Sequence, residues 1–276
     1  MESRPNAVVG RKINREIVVV VGWGRAILLQ LAHPLIAAAI SDGSSFHSGA
    51  GSYVRRAHQT ISAMLDLTFG TAVDAQRIVD KINGIHDHVH GQLGTATGIF
   101  PAGTPYSARD GQLLVWVHAT LVESLVLTYE QLVGPLTREE KDQYASDSAW
   151  LARELGAPAD AVPSDAAGVT AFMQEMRARG EICVGEDARR MASALLAPGI
   201  ALAAPVFWVS GLITVGLLPD DLRQAYGFEW NARRAQRFQQ VTALVRGTRR
   251  LLPPICREWP AARRPQAALA AGVSNV

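Results

Sequence analysis

The chain has 276 residues, 48% hydrophobic and 19% charged, with a formal net charge of +2. That length and balance suit one large folded domain and exclude a disordered chain or a collagen-like repeat. The charge is uneven. From Asn231 onward there are nine arginines and one acid, Glu258, yet no groove-reading motif accompanies them, so nucleic acid is not an expected partner. Cys183 and Cys256 lack any Cys-x-x-Cys spacing. This removes zinc ribbons, thioredoxin-like chemistry and covalent c-type haem, and two lone thiols fit a reducing, cytoplasmic compartment.

Apolar positions recur with helical period along most of the chain. REIVVVVGWGRAILLQLAH is expected to form a long apolar helix ending where His33 precedes Pro34. Arg25 interrupts it and no small-residue cleavage site is in register, so it is not read as a secretory signal. YVRRAHQTISAMLDLTFG places Val54, Ile61, Met64, Leu65 and Phe69 on or near one face and stops at Gly70. TAVDAQRIVDKINGIHDHVHG repeats the pattern after a Thr71 to Asp74 start. SARDGQLLVWVHATLVESLVLTYEQLVG is the strongest helical stretch, with a capping run from Ser107 to Asp110 and a stop at Gly134-Pro135. TREEKDQYASDSAWLARELG is amphipathic, with Thr137 and Glu140 spaced as a capping box, and 168–178 and 186–196 follow suit. Convincing strand alternation and internal repeats are missing. The reading is an all-α fold, a single multi-helix domain over 1–276 built from roughly eight to twelve helices.

From Met191 to Pro219 no side chain is charged, which is length enough to span a bilayer. Pro198, Gly199, Pro205 and Gly211 favour instead a broken, buried segment. Peripheral contact with a membrane, through this stretch and the arginine-rich end, is the third option.

Seven histidines carry most of the chemical interest. NGIHDHVHGQL places His86, His88 and His90 at alternate positions; on a helix His86 and His90 share a face. That spacing suits a metal pair, and equally a polar helix end with histidines near the C-terminal dipole. His118 sits among Leu114, Trp116, Val117 and Leu121, either satisfied within the core or turned towards a cofactor, and His33 shares the ambiguity. Arg56 and Thr60 lie one helical turn apart, and an arginine buried there needs an anion. Dinucleotide and phosphate loops, the serine nucleophile elbow, His-Glu-x-x-His and Glu-x-x-His are all missing. An all-α chain with such histidines and no nucleotide loop fits a cofactor held between helices, and non-covalent haem suits it.

Several stretches in order carry a resemblance. They are LLQLAHPLIAAAISDGSSF, Arg56-x-x-x-Thr60, Thr68–Thr71, IHDHVHG, YSARDGQLLVWVHATLVESLVLTYE, and the ending VGLLPDDLR with RRLLPP. Together the chain resembles the family of the rubber oxygenase (latex clearing protein) catalytic domain and the mycophenolate-pathway oxygenase, over a core of about 17–254 that leaves a basic tail at 255–276. The resemblance implies a helical arrangement distantly like that of globins, with one haem b in a pocket between helices. It implies His86, followed by Val89 and Gly91, as the proximal iron ligand, with His90 as the alternate. Arg56 and Thr60 match the family's arginine and threonine, with Arg56 supporting the haem pocket. His118 matches a second histidine beside the haem. Asp42 is the nearest match to an acidic base, at a slightly different spacing and with aspartate for glutamate. Gln59 stands where the rubber enzyme has a lysine, which puts that distal switch in doubt.

The function implied is a haem-dependent oxygenase acting with O2 on a lipophilic, unsaturated small molecule, by oxidative C=C cleavage on the example of the better-known relatives. Another haem-dependent oxidation, such as hydroxylation or peroxide-driven chemistry in a biosynthetic pathway, is an alternative. So is a non-catalytic haem-binding or sensing protein in which His33, His58 or His118 closes the sixth position. A membrane-associated helical protein without haem is a further reading. Oligomeric state is not legible.

Overall fold

The structure, a computed structural model, describes residues 7–43, 49–197, 200 and 203–263; at positions 43, 49–54 and 56 it describes the backbone alone. The all-α reading holds. α1 (Val8–Asn14) and a 3-10 turn (Ile17–Val19) lead into α2 (Val20–Leu31), α3 (Pro34–Gly43), α4 (Gly49–Phe69) and α5 (Ala72–His86). Two short strands, β1 (His90–Gln92) and β2 (Pro105–Ser107), pair antiparallel before α6 (Gly111–Leu132). There follow α7 (Arg138–Glu154), α8 (Ala166–Ala178), α9 (Glu186–Leu196), α10 (Ala204–Gly216), α11 (Asp220–Ala225), α12 (Ala232–Leu251) and the one-turn α13 (Pro254–Arg257).

α6 is the axis of the molecule. Val115, Trp116, Ala119, Thr120, Ser124 and Thr128 on it are fully buried, and α2, α7, α8 and α12 pack around it. α2 packs tightly on it at Gly22: a Cβ there would stand 2.8 Å from Thr128 Oγ1 and 3.0 Å from the Ser124 carbonyl. Arg25, one turn on, is buried and paired with Glu123. It also donates to Ser124 Oγ and the Leu217 carbonyl, both at 2.7 Å, so α2, α6 and the end of α10 share one guanidinium.

The expected break at His33-Pro34 is present. The chain turns by 106° between α2 and α3, Pro34 opens α3, and His33 Nδ1 accepts the Leu35 N–H at 3.3 Å. Thr71 with Asp74 and Thr137 with Glu140 form complete capping boxes, and Asp110 caps α6 through the Gln112 and Leu113 amides.

One expectation needs correction. The helix over 71–91 ends at His86, so His90 opens β1 and shares no helical face with His86. The cause is non-local: Gly91 pairs with Tyr106, and a Cβ at Gly91 would lie 2.4 Å from the tyrosine oxygen. The break expected in the uncharged 191–219 stretch is present: it falls between α9 and α10, of 11 and 13 residues, each short for a bilayer. Pro198 and Gly199, part of the reason for expecting a break, lie outside the described residues. Among the described residues one helix, Gly111–Leu132, is long and apolar enough to cross a membrane, and most of it is buried inside the protein.

Candidate functional site

Six helices and the β ribbon line a cavity of about 500 Å³. Its wall is almost wholly aliphatic: Ile36 and Ile40 from α3, Met64 and Leu67 from α4, Leu113 and Leu121 from α6 are representative. Gln30 also lines it, with its amide tied back to Thr120 Oγ1 at 3.2 Å. An apolar cavity of this size with few polar groups has the character of a small-molecule or cofactor site.

Two imidazoles reach this wall. His86 comes from the last turn of α5 and His118 from the middle of α6. His86 Nδ1 and His118 Nε2 are both buried without a hydrogen-bond partner. Leaving such an atom unpaired costs about 1–3 kcal/mol, and both atoms belong to residues that line this apolar cavity. Burial, then the Arg109 charge, push His86 below the ordinary histidine range against the opposing pull of Asp87. Burial, with the Arg153 charge adding to it, takes His118 down to about 4. Both rings are therefore neutral near pH 7, the form that offers a lone pair to a metal.

The local sequence explains how His86 is held. Arg109, just before α6, donates to Asn83 Oδ1 at 2.7 Å, to the Asn83 carbonyl at 3.1 Å and to Asp87 Oδ1 at 2.6 and 2.8 Å. A planar guanidinium fork thus ties the open carbonyl end of α5 to the β2–α6 junction. Val89 lines the cavity, and its carbonyl accepts the Ala108 N–H at 2.9 Å. Gly91 gives passage to the Tyr106 ring, whose hydroxyl donates to Asp42 at 2.5 Å. The spacing His86, Val89, Gly91 is therefore one local device: ring, wall, and clearance for a crossing tyrosine.

The remaining candidates fall elsewhere. His88 is exposed, and its Nδ1 lies 2.8 Å from the Gly84 carbonyl at the end of α5. His90 is exposed on β1 and does not line the cavity. Asp42 is exposed and engaged by Tyr106, whose phenol is pushed up to about 12 by burial and by that carboxylate. Thr60 is exposed on α4, one turn before the cavity residue Met64. Arg56 is in α4, and its side chain lies outside the described residues. Of the other histidines weighed as a sixth ligand, His33 is buried at the α2–α3 turn, away from the cavity wall, and His58 is exposed.

Sequence reasoning missed Arg109 and Val89's wall position. Of these, Arg109 carried a usable signal in its place one residue before the Asp110 cap. Among the described residues no group of three or more histidine, cysteine or acidic side chains is placed to hold a bare metal ion. A haem needs no such group, since the macrocycle supplies four ligands and the protein one or two. The apolar wall and the two free imidazoles fit that demand.

A family model described as "ER-bound oxygenase mpaB/B'/Rubber oxygenase, catalytic domain" matches residues 10–247. Two curated relatives, both named as uncharacterized proteins, come from Mycobacterium bovis and Mycobacterium tuberculosis. Each is 27% identical over 205 residues, covering 72% of this chain and 76% of the relative. No solved structure matches.

Proposed function

The chain belongs to the family of the ER-bound oxygenase mpaB/B' and rubber oxygenase catalytic domain, and on that premise we propose that it is a haem b-dependent oxygenase acting with O2 on a lipophilic, unsaturated small molecule. The observation that carries this reading is the pair of unpartnered, neutral imidazoles on one apolar cavity of about 500 Å³. His86 would hold the iron, because it stands on a clasped helix end and its neighbours Val89 and Ala108 complete the wall around it. When bound, haem supplies the one-electron and dioxygen chemistry that no side chain here offers.

The chain's own part is binding, orientation and exclusion of water. The aliphatic residues of α3, α4 and α6 would desolvate an apolar substrate, with about 25 cal/mol gained per Å² of apolar surface removed from water. The same wall keeps water from a reactive centre. Arg56 and Thr60, carried over from the family's motif, would supply charge and a hydroxyl on the α4 side. The aspartate at 42 would need release from Tyr106 to act as a base. Cleavage of a C=C bond is the reaction favoured by the rubber oxygenase named in the family description; hydroxylation is the alternative.

Incubation of the haem-loaded chain with isoprenoid alkenes under isotope-labelled dioxygen tests the reading. Carbonyl fragments carrying the label are expected. Labelled product with its carbon skeleton intact assigns hydroxylation, and absence of label from every product contradicts an oxygenase. A second reading, a haem sensor ligated by both His86 and His118, is favoured by their shared cavity. It predicts a reduced spectrum unmoved by carbon monoxide.

A further inference from the structure

We propose that the outer face of α12, with the exposed start of α10 beside it, seats the protein on an anionic lipid bilayer as a peripheral contact that does not span it. Its use in drawing a lipophilic substrate from the bilayer rests on the function proposed above; the contact itself does not. Ten large apolar side chains are exposed among the described residues, and six of them fall in this one region of the chain. They are Val206 and Trp208 on α10, Leu244 and Leu251 on α12, and Leu252 and Ile255 just after it. Single exposed apolar residues are ordinary, whereas a concentration of this kind marks a surface with an occupant.

Helical spacing places these side chains on a common face. Arg233, Arg237, Leu244 and Leu251 follow one another along α12 at steps of four, seven and seven residues, which is a single stripe. The buried side chains of this helix, Phe238, Thr242 and Arg249, lie on its other side. A helix packed on a core normally turns polar residues to solvent, yet Leu251 is 86% exposed. Trp208 and Arg237 line one groove of about 250 Å³ between α10 and α12, so the start of α10 belongs to the same surface.

Charge selects the occupant. From Asn231 to Arg257 the chain carries seven arginines and no acid. Arg249 is taken up inside by Glu16, and Arg234 reaches Glu229 at 3.5 Å. Arg233, Arg237 and Arg250 are exposed and have no ion-pair partner among the described residues. The uncharged run from Met191 to Pro219 brings α10 to the same surface with no charged side chain of its own. A nucleic acid would use the arginines and leave the leucines and Trp208 in water. A bilayer interface takes both, since lipid phosphates pair with guanidinium while leucine and indole settle at the acyl boundary.

Co-sedimentation of the full chain with vesicles tests this, using phosphatidylcholine alone or an equal mixture with phosphatidylglycerol. The wild type is expected to sediment with the mixed vesicles, to ignore the neutral ones and to be released by high salt. The pair Leu244→Gln with Leu251→Gln, and separately Arg233→Gln with Arg237→Gln, should each weaken binding roughly tenfold or more. All four positions are exposed, so circular dichroism should show both variants folded. Acyl chains brominated near the headgroup should quench tryptophan emission in the wild type, and less so in Trp208→Phe. A wild type that stays in solution, binds neutral vesicles equally well, or is matched by either paired variant overturns the proposal. So does a wild-type dimer that the two leucine substitutions split, which would give the face to a second copy of the chain. Vesicle binding by a chain that takes up no haem would refute the oxygenase reading and leave this contact standing; haem uptake without vesicle binding would do the reverse.

Discussion

At the scale of single residues, two histidines that look alike in the sequence do different work. His118 and His33 both interrupt apolar runs, and each is buried and taken down to about 4, chiefly by desolvation. His118 faces a cavity, whereas His33 Nδ1 accepts the Leu35 N–H and its Nε2 lies 3.8 Å from Glu181. Only the fold separates them, because the partner of His33 is the backbone of its own turn. His33 carries a pH prediction. Its folded pKa lies below the unfolded value of about 6.5, so the unfolded chain binds the proton more readily between these limits. Stability therefore falls as pH drops from about 6.5 towards 4, by up to about 3 kcal/mol for the full shift. Urea unfolding of the wild type and His33→Asn across that window should show the variant with the flatter profile. Parallel profiles would show that His33 is not the group responsible.

At the scale of elements, capping chemistry was legible and the end of α5 was not. The Thr71 and Thr137 starts, the Gly70 stop and the His33-Pro34 break are encoded within a few residues and stand where the sequence places them. The expected run of α5 through His90 fails because what ends the helix lies in β2 and the junction after it: Tyr106 crosses Gly91, and Arg109 clasps Asn83 and Asp87. The same distance hid Asp147, which on an amphipathic helix reads as a solvent-facing acid yet is only 9% exposed. His86 and His118 were legible as candidates, while the cavity joining them was not, since aliphatic wall residues look like any other core. The clasp makes a prediction: Arg109→Ala should leave the fold intact and speed haem loss roughly tenfold or more, by loosening the helix end that carries His86. Haem transfer to an excess of a haem-free acceptor protein measures this. An unchanged rate would mean that the clasp serves the α5 terminus alone.

At the scale of the whole molecule, the two ends of the described chain close on each other through buried charge. Glu16, 1% exposed, pairs with Arg249, 9% exposed, and Arg249 Nε donates to Glu16 Oε2 at 2.8 Å. Beside them Arg15 reaches Glu258 at 3.5 Å, and the Trp259 N–H donates to the Arg15 carbonyl at 3.0 Å. Nothing in the local pattern announces a contact between residues 16 and 249, and the arginine-rich end reads in sequence as a basic surface suited to a membrane contact. Arg249→Ala leaves Glu16 buried without its partner and should cost about 3–5 kcal/mol in chemical denaturation. Replacing both residues by methionine should recover most of that loss, and failure to recover would assign the cost to packing.

The central claim, that this closed bundle holds haem through His86, is tested most directly by an absorption titration. Haem is added to the wild-type, His86→Ala and His118→Ala full chains, followed by reduction under carbon monoxide. The account predicts a saturable Soret band at one haem per chain in the wild type, shifted by carbon monoxide, retained in His118→Ala and lost in His86→Ala. A wild-type chain that stays colourless, or a His86→Ala variant that binds haem as the wild type does, would contradict it.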